Sequence, residues 1–257
     1  AKMFLREDLF EKGLKSSTDA TKLKARSVSL SWTTENLYRV VIRHIANHTD
    51  TLKKWLVEVA EAPLTLNKRL GLMPPIYMPE EDAGKFTQLS FATAIAGPTM
   101  GEGVNKGYVH RWIPNHLQDA HQAVLPRSML NLFVNSAEQA LKRGPRGGYM
   151  RIFKPEELQA GLEATSLYRV RELAEEYPVV QRLELLRGLT VMAEREDVVA
   201  RLSAVRDDGF GADGEAVLDE LMRLGVAKQR EDSRIDVPDL YRYGYGIKRK
   251  GGVARPK

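Results

Sequence analysis

The strongest constraint on the fold is a segment, residues 126 to 144, in which both ends of a helix are marked. Pro126 fits the first helical position, where its missing N–H is not needed. Lys142 and Arg143 complement the negative end of the helix dipole, and Gly144 provides a stop. Between them, apolar residues recur at helical spacing and form a predicted buried stripe of Leu130, Phe133, Val134, Ala137 and Leu141. This segment predicts a chain built around long helices.

Similar patterns occur on both sides of this helix. Thr33 is a suitable N-cap for a helix with an apolar face at Leu37, Val41 and Ile45. Pro114 also stands where a helix could open. Further helices are predicted at residues 50–59, 155–177, 178–189, 194–205 and 215–224. Residues 61 to 106 contain prolines that interrupt a helix, so we predict an ordered insertion or a mobile loop there.

The last predicted helix, EAVLDELMRL, ends at Gly225 and precedes two short strands, VAKQR and RIDVP, around the turn EDS. This order of helix, glycine, strand, polar turn and strand is common in winged-helix modules. The fold class is therefore predicted as mainly α with small β, ending in a winged-helix-like domain. GPRGG at 144–148 is the best linker candidate, so the predicted parts are 1–146, 147–241 and a basic tail at 242–257.

The positive charge of the chain is concentrated in that tail. The net charge is +5, and residues 242 to 257 contain six Lys or Arg and no acid. Such clusters can neutralise nucleic-acid phosphates, although a solvated terminus has the same composition. The predicted recognition helix exposes Glu215, Asp219 and Glu220 against Arg223, a face that repels phosphate. Contacts to duplex DNA are therefore predicted in the wing and the tail, at Lys228, Arg230, Arg234, Lys248, Arg249 and Lys250.

The composition excludes several kinds of site. The chain has no cysteine, which removes disulfides, thiolate metal ligands and a cysteine nucleophile. Among its five histidines, the neighbouring His110, His116 and His121 show neither HExxH nor a His-x-x-x-His pair, so no metal site is predicted. No apolar run approaches the roughly 18 residues of a membrane span. We therefore expect a cytoplasmic protein with no membrane partner.

Three short segments resemble P-loop ATPases of the AAA+ and STAND type. MFLRED (3–8) is similar to a sensor-1 strand, and LSWTTENLYRVV and PRSMLNLF are similar to parts of the helical lid. The resemblance implies a lid-type helical domain before the winged-helix-like one. It also implies that Arg6 and Arg127 face a nucleotide phosphate as the sensor-1 and sensor-2 residues. Arg6 has the alternative of pairing with Glu7 or Asp8.

The chain lacks GxxxxGK[ST] and an apolar strand ending in paired acids, so it is not expected to bind or hydrolyse ATP alone. The resemblance implies ATP and Mg²⁺ for a longer parent protein, with an upstream ATPase half. The predicted function is a regulatory C-terminal portion that couples nucleotide state to nucleic-acid or protein binding. Two alternatives stay open: a stand-alone winged-helix DNA-binding or transcription-regulating module, and a structural protein-interaction domain.

Overall fold

The structure is a computed structural model that describes residues 10, 13, 19–28, 31–67, 76–80, 84–144, 151–205 and 208–250. The chain is mainly helical, as predicted. It divides into two compact units, Ala1–Trp32 and Thr33–Lys257. Helix α1 (Ala20–Ala25) belongs to the first unit. All residues of the candidate sites that the structure describes belong to the second.

Helices dominate the second unit and short strands connect them. In chain order its elements are α2 (Thr34–Ala46), α3 (Asp50–Glu58), β1 (Leu64–Asn67), β2 (Ile76–Pro79), α4 (Gly84–Ala96), a 3-10 helix (Val104–Lys106), α5 (Val109–Leu117), α6 (Pro126–Arg143), α7 (Pro155–Glu176), a second 3-10 helix (Pro178–Leu186), β3 (Thr190–Val191), α8 (Arg195–Leu202), α9 (Gly214–Arg223), β4 (Lys228–Gln229), β5 (Ile235–Asp236), α10 (Asp239–Arg242) and β6 (Lys248–Arg249). The predicted N-cap of α2 is confirmed, because the Thr33 side chain accepts a hydrogen bond from the Asn36 amide.

Residues 61 to 106 contain more regular structure than the sequence predicts. Strands β1 and β2 form an antiparallel hairpin, with Leu64 opposite Pro79. Helix α4 follows, and its Phe91 and Ile95 are buried in the core. Polar and apolar residues are mixed around this helix, so it lacks the amphipathic period that identifies a surface helix. Phe91 contacts the rings of Tyr38, Trp55 and Phe133 at centroid distances of 6.0 to 6.5 Å, which joins α4 to α2, α3 and α6.

Pro114 does not open a helix, contrary to the prediction, but lies inside α5. A proline in that position cannot donate a hydrogen bond to the carbonyl four residues earlier, at His110. The buried Tyr38 hydroxyl from α2 instead donates to the His110 carbonyl oxygen at 2.9 Å. A tertiary contact thus replaces the helical hydrogen bond that the proline removes.

Helix α6 has the predicted ends, with Pro126 at its start and Gly144 at its C-cap with φ of 73°. The predicted buried stripe is wrong in part, because Val134 and Leu141 are exposed. The buried face instead contains Ser128, Met129, Leu132 and Ser136. Small polar residues therefore form part of the contact that α6 makes with its neighbour α7.

Helices α6 and α7 pack antiparallel. Arg143 pairs with Glu157 at one end of the contact, and Arg127 pairs with Glu172 at the other. At the centre, a Cβ added at Gly161 would lie 2.2 Å from Ser136 Oγ and 2.9 Å from Ser136 N, so only glycine allows this approach. This packing joins residues on both sides of 146 within the second unit, and the domain boundary predicted near 146 stays a prediction.

The C-terminal segment contains the predicted hairpin. Strands β4 and β5 are antiparallel, with Lys228 opposite Asp236. Ala193 forms an antiparallel bridge with Ile235, and β6 pairs in parallel with β3. Tyr245 and Ile247 are buried. Residues 242 to 250, predicted as a tail, are therefore part of the fold, because apolar side chains between the basic ones enter the core.

Candidate functional site

Of the two arginines predicted to face a phosphate, the structure describes Arg127, which lies in the first turn of α6. Its side chain is 66% exposed, and its Nη1 donates to Glu172 Oε1 on α7. Arg169, one turn earlier on α7, donates from Nη1 to Glu172 Oε2 at 2.8 Å. One carboxylate therefore bridges two guanidinium groups. Arg6 lies outside the described residues.

The charges around Arg127 favour an anion. Burial raises the pKa of Glu172, but the hydrogen bonds and charges of Arg169 and Arg127 outweigh it and hold that pKa below its usual range. Glu172 thus stays ionised at neutral pH and neutralises one of the two cations. The positive end of the α6 dipole adds to the remaining charge. The Arg127 guanidinium and the N-terminal end of the α6 dipole thus both favour an anion at this position.

Two of the three wing residues predicted to contact DNA already form ion pairs with aspartates of the same hairpin. The Arg234 guanidinium donates to Asp232 Oδ2 from Nη2 at 2.5 Å and from Nε at 3.0 Å. Arg230 Nη1 lies 3.5 Å from Asp236 Oδ2. Lys228 is partly buried, and burial lowers the pKa of its ammonium group. The β4–β5 hairpin therefore offers less free positive charge than its sequence indicates.

Arg249, which the sequence predicts as a nucleic-acid contact, is part of a largely buried ionic cluster. Its side chain is 12% exposed, and Nη2 donates to Asp236 Oδ2 at 2.7 Å while Nη1 donates to Asp239 Oδ1 at 3.3 Å. Arg242 Nε also donates to Asp239 Oδ1, at 2.5 Å. Lys248 and Lys250, on either side of Arg249, are exposed. The prediction of accessible charge therefore fits these two lysines and not the arginine between them.

The ionic cluster extends to α5 through His116. The Asp239 Oδ2 atom lies 3.4 Å from His116 Nε2, and both side chains are almost fully buried. His116 Nδ1 lies 2.7 Å from the Trp112 carbonyl oxygen, and the two rings stack at 4.1 Å. Each imidazole nitrogen thus lies near an oxygen atom of α5 or α10. The cluster thus fixes the C-terminal segment to α5 and has a structural role.

Sequence patterns did not indicate a cleft that lies between the first two turns of α2, the end of β2 and the start of α4. It encloses roughly 370 Å³ of empty space, including the part open to solvent, and its lining includes Glu35, Arg39, Ile42, Pro79, Glu80 and Gln88. Gln88 is 7% exposed, and its Nε2 has no hydrogen-bond partner. No distinct sequence signal marks this cleft, because Thr87 and Gln88 are two of several polar residues spread through α4.

Within the ranges that the structure describes, no three histidine, aspartate or glutamate side chains are grouped closely enough to hold a metal ion. No helix in the same part of the chain combines the length and apolar character that crossing a bilayer requires. In comparisons with known proteins, no family model, curated protein or solved structure matches the chain.

Proposed function

We propose that this chain is the regulatory C-terminal part of a P-loop ATPase of the AAA+ or STAND type. The observation that carries the proposal is the position of Arg127. Its guanidinium is largely exposed at the N-terminus of an 18-residue helix, beside a second arginine and a single shared carboxylate. A planar guanidinium fits phosphate oxygens and keeps its charge.

In this proposal, helices α2 to α7 form the lid and Arg127 contacts a phosphate of Mg·ATP held by an upstream half. Glu172 holds Arg127 while the phosphate is absent, and the phosphate takes its place when the two halves meet. The exchange would change the contact between α6 and α7 near the N-terminus of α6. That contact leads through α7 to the C-terminal segment, which would report the nucleotide state to a nucleic acid or protein partner.

The test has two parts. The reading frame upstream of and continuous with Ala1 should encode GxxxxGK[ST]. In the full-length protein, Arg127→Ala should lower kcat for ATP hydrolysis about 100-fold, since removing one pre-positioned donor to developing charge has an effect of that order. The matched control is Arg171→Ala, an exposed arginine on α7. An upstream frame without a P-loop, or wild-type turnover in the Arg127 variant, would refute the proposal.

A winged-helix DNA-binding module is the second candidate, and the strand arrangement favours it. Helices α8 and α9 precede the β4–β5 hairpin, and the bridge from Ala193 to Ile235 adds the preceding chain to the same sheet. The acidic surface of α9 opposes DNA contact by that helix, because Glu215 and Asp219 share a single cation, Arg195, and together keep a net negative charge. Binding would therefore depend on the exposed lysines next to β6.

This second candidate predicts a change in salt dependence. Replacing Lys248 and Lys250 together by Gln should reduce the slope of log K against log salt by about 2 for duplex DNA, since each phosphate contact contributes about 0.9. Lys106 and Lys142, which are exposed elsewhere, provide the control pair. An unchanged slope in the Lys248 and Lys250 variant, or an equal change in the control, would exclude this interface.

A further inference from the structure

Arg169 connects the ion pair at Arg127 to the C-terminal segment. Its Nη1 donates to Glu172 Oε2 at 2.8 Å, and the Oε1 atom of the same carboxylate accepts from Arg127. Burial raises the pKa of the Tyr241 hydroxyl on α10, whereas the charge of Arg169 and a hydrogen bond with it act in the opposite direction. Arg169 therefore faces both the carboxylate that holds Arg127 and a buried side chain of α10.

The C-terminal segment packs closely on the part of α7 that carries Arg169. Ser166 Oγ accepts a hydrogen bond from the Gly244 amide at 2.8 Å, and a Cβ added at Gly244 would lie 3.0 Å from Val170 Cγ2. The Tyr241 side chain is 1% exposed, so it has little room to follow a guanidinium that turns. A change in the orientation of Arg169 would therefore alter its contact with Tyr241.

Arg169 also has an unused donor. Its Nε is buried and has no hydrogen-bond partner in the part of the chain that the structure describes. If Arg127 left Glu172, the Oε1 atom of that carboxylate would become free. An arginine binds a carboxylate strongly when two parallel N–H donors, such as Nε and Nη2 on one side of the guanidinium, meet both oxygens. Because Arg169 now donates from Nη1, its guanidinium would have to turn to pair in this way.

We propose that Arg169 couples the occupation of Arg127 by an anion to the order of α10. While Glu172 holds Arg127, Arg169 is shared between Glu172 and Tyr241. When an anion takes Arg127, Arg169 binds both oxygens of Glu172 and loses its contact with Tyr241. This inference rests on the proposed function, which puts an anion at Arg127, and adds the residue that transmits the change. Arg169 is a positioning residue, because it acts through Glu172 and does not touch the anion.

Hydrogen exchange of the ¹⁵N-labelled chain, followed by NMR, tests this coupling without a nucleotide, because Arg127→Ala also frees Glu172. The amides of Tyr241 and Arg242 donate to the Pro238 carbonyl oxygen and report the order of α10. We expect both amides to exchange about tenfold faster in Arg127→Ala, the order expected when one hydrogen bond to a charged group is lost.

Three comparisons separate this coupling from a general loss of stability. The Val198 amide, which bonds within α8, should exchange at the wild-type rate in Arg127→Ala. Arg171→Ala removes an exposed arginine from α7 and should leave the α10 amides unchanged. Arg169→Lys keeps the charge but replaces the fork of donors by one ammonium group. Adding Arg127→Ala to that variant should therefore cause no further change in α10.

The proposal fails if the α10 amides exchange equally in wild type and Arg127→Ala, or if Val198 accelerates to the same degree. It also fails if Arg127→Ala has its full effect in the Arg169→Lys background. The proposed function fails on a different result, an upstream reading frame without a P-loop, so the two outcomes are distinguishable.

Discussion

Replacing Arg182 by Met tests how strongly one buried arginine holds the loop between α8 and α9. The Arg182 side chain is completely buried, and it donates to both carboxylate oxygens of Asp208 at 2.5 Å. It also donates to the carbonyl oxygens of Leu202 at 2.8 Å, Ala204 at 3.1 Å and Gly211 at 2.8 Å. The variant would leave one carboxylate and three carbonyl groups without these donors.

The expected loss in the free energy of unfolding is about 4 kcal/mol, since removing one partner of a buried ion pair costs about 3–5 kcal/mol. The carbonyl groups do not add their full penalty, because the loop can open to water. For a unit of this size, about 1 kcal/mol lowers Tm by about 2–4 °C, so Tm should fall by about 8–16 °C. Urea and thermal unfolding followed by circular dichroism measure both quantities.

Arg187→Met is the matched control, because it is the same substitution on a side chain that is 64% exposed. It should change stability by no more than about 0.5 kcal/mol. The reasoning would be refuted if the Arg182 variant lost less than about 1 kcal/mol, or if the two variants lost the same amount.

The same pair makes stability depend on pH. The hydrogen bonds from Arg182 hold the pKa of Asp208 below its ordinary value of 3.8. A carboxylate with a lowered folded pKa contributes stability that is complete above the ordinary pKa and disappears as the pH falls through the folded pKa. Wild-type stability should therefore decrease below about pH 4. In Arg182→Met this part of the acid dependence should be absent.

Two further predictions concern helix contacts. Gly161→Ala should destabilise the fold by about 1–3 kcal/mol, because the new methyl group overlaps Ser136. Adding Ser136→Ala should restore only part of the loss, since the backbone N of residue 136 is also close. Equal stability of Gly161→Ala and wild type in urea would contradict this packing. Tyr38→Phe should cost about 1 kcal/mol by removing the hydrogen bond to the His110 carbonyl. The loss should be smaller in a Pro114→Ala background, where the backbone N–H of residue 114 can donate to the His110 carbonyl. If a double-mutant cycle shows no coupling between the two substitutions, the Tyr38 hydroxyl does not replace the helical hydrogen bond.

Local signals predicted the parts of the fold that depend on neighbouring residues. The N-cap at Thr33, the helix start at Pro126 and the stop at Gly144 each involve groups within one helical turn, and the sequence displays them directly. The proline inside α5 was misread because its compensating donor, Tyr38, lies 72 residues earlier in the chain. No local pattern contains that information.

The candidate sites were harder to predict for the same reason. The exposure of Arg127 depends on α7, and the cleft at Gln88 combines residues from three elements that lie apart in the sequence. Helix α4 carries no amphipathic period, so the sequence did not even indicate the element on which Gln88 lies.

The contrast between Arg127 and Arg249 shows why a count of basic residues did not locate the accessible charge. Arg249 lies in the most basic segment of the chain, yet Asp236 and Asp239 enter the fold from β5 and α10 and leave it only 12% exposed. Arg127 lies in a segment of mixed charge and is 66% exposed, and it shares its carboxylate partner, Glu172, with Arg169. Release of Arg127 from Glu172 takes place near the surface, where an exposed ion pair contributes at most about 1 kcal/mol. A phosphate can therefore compete for Arg127 at low cost, whereas Arg249 could reach one only by breaking the buried cluster that holds the C-terminal segment.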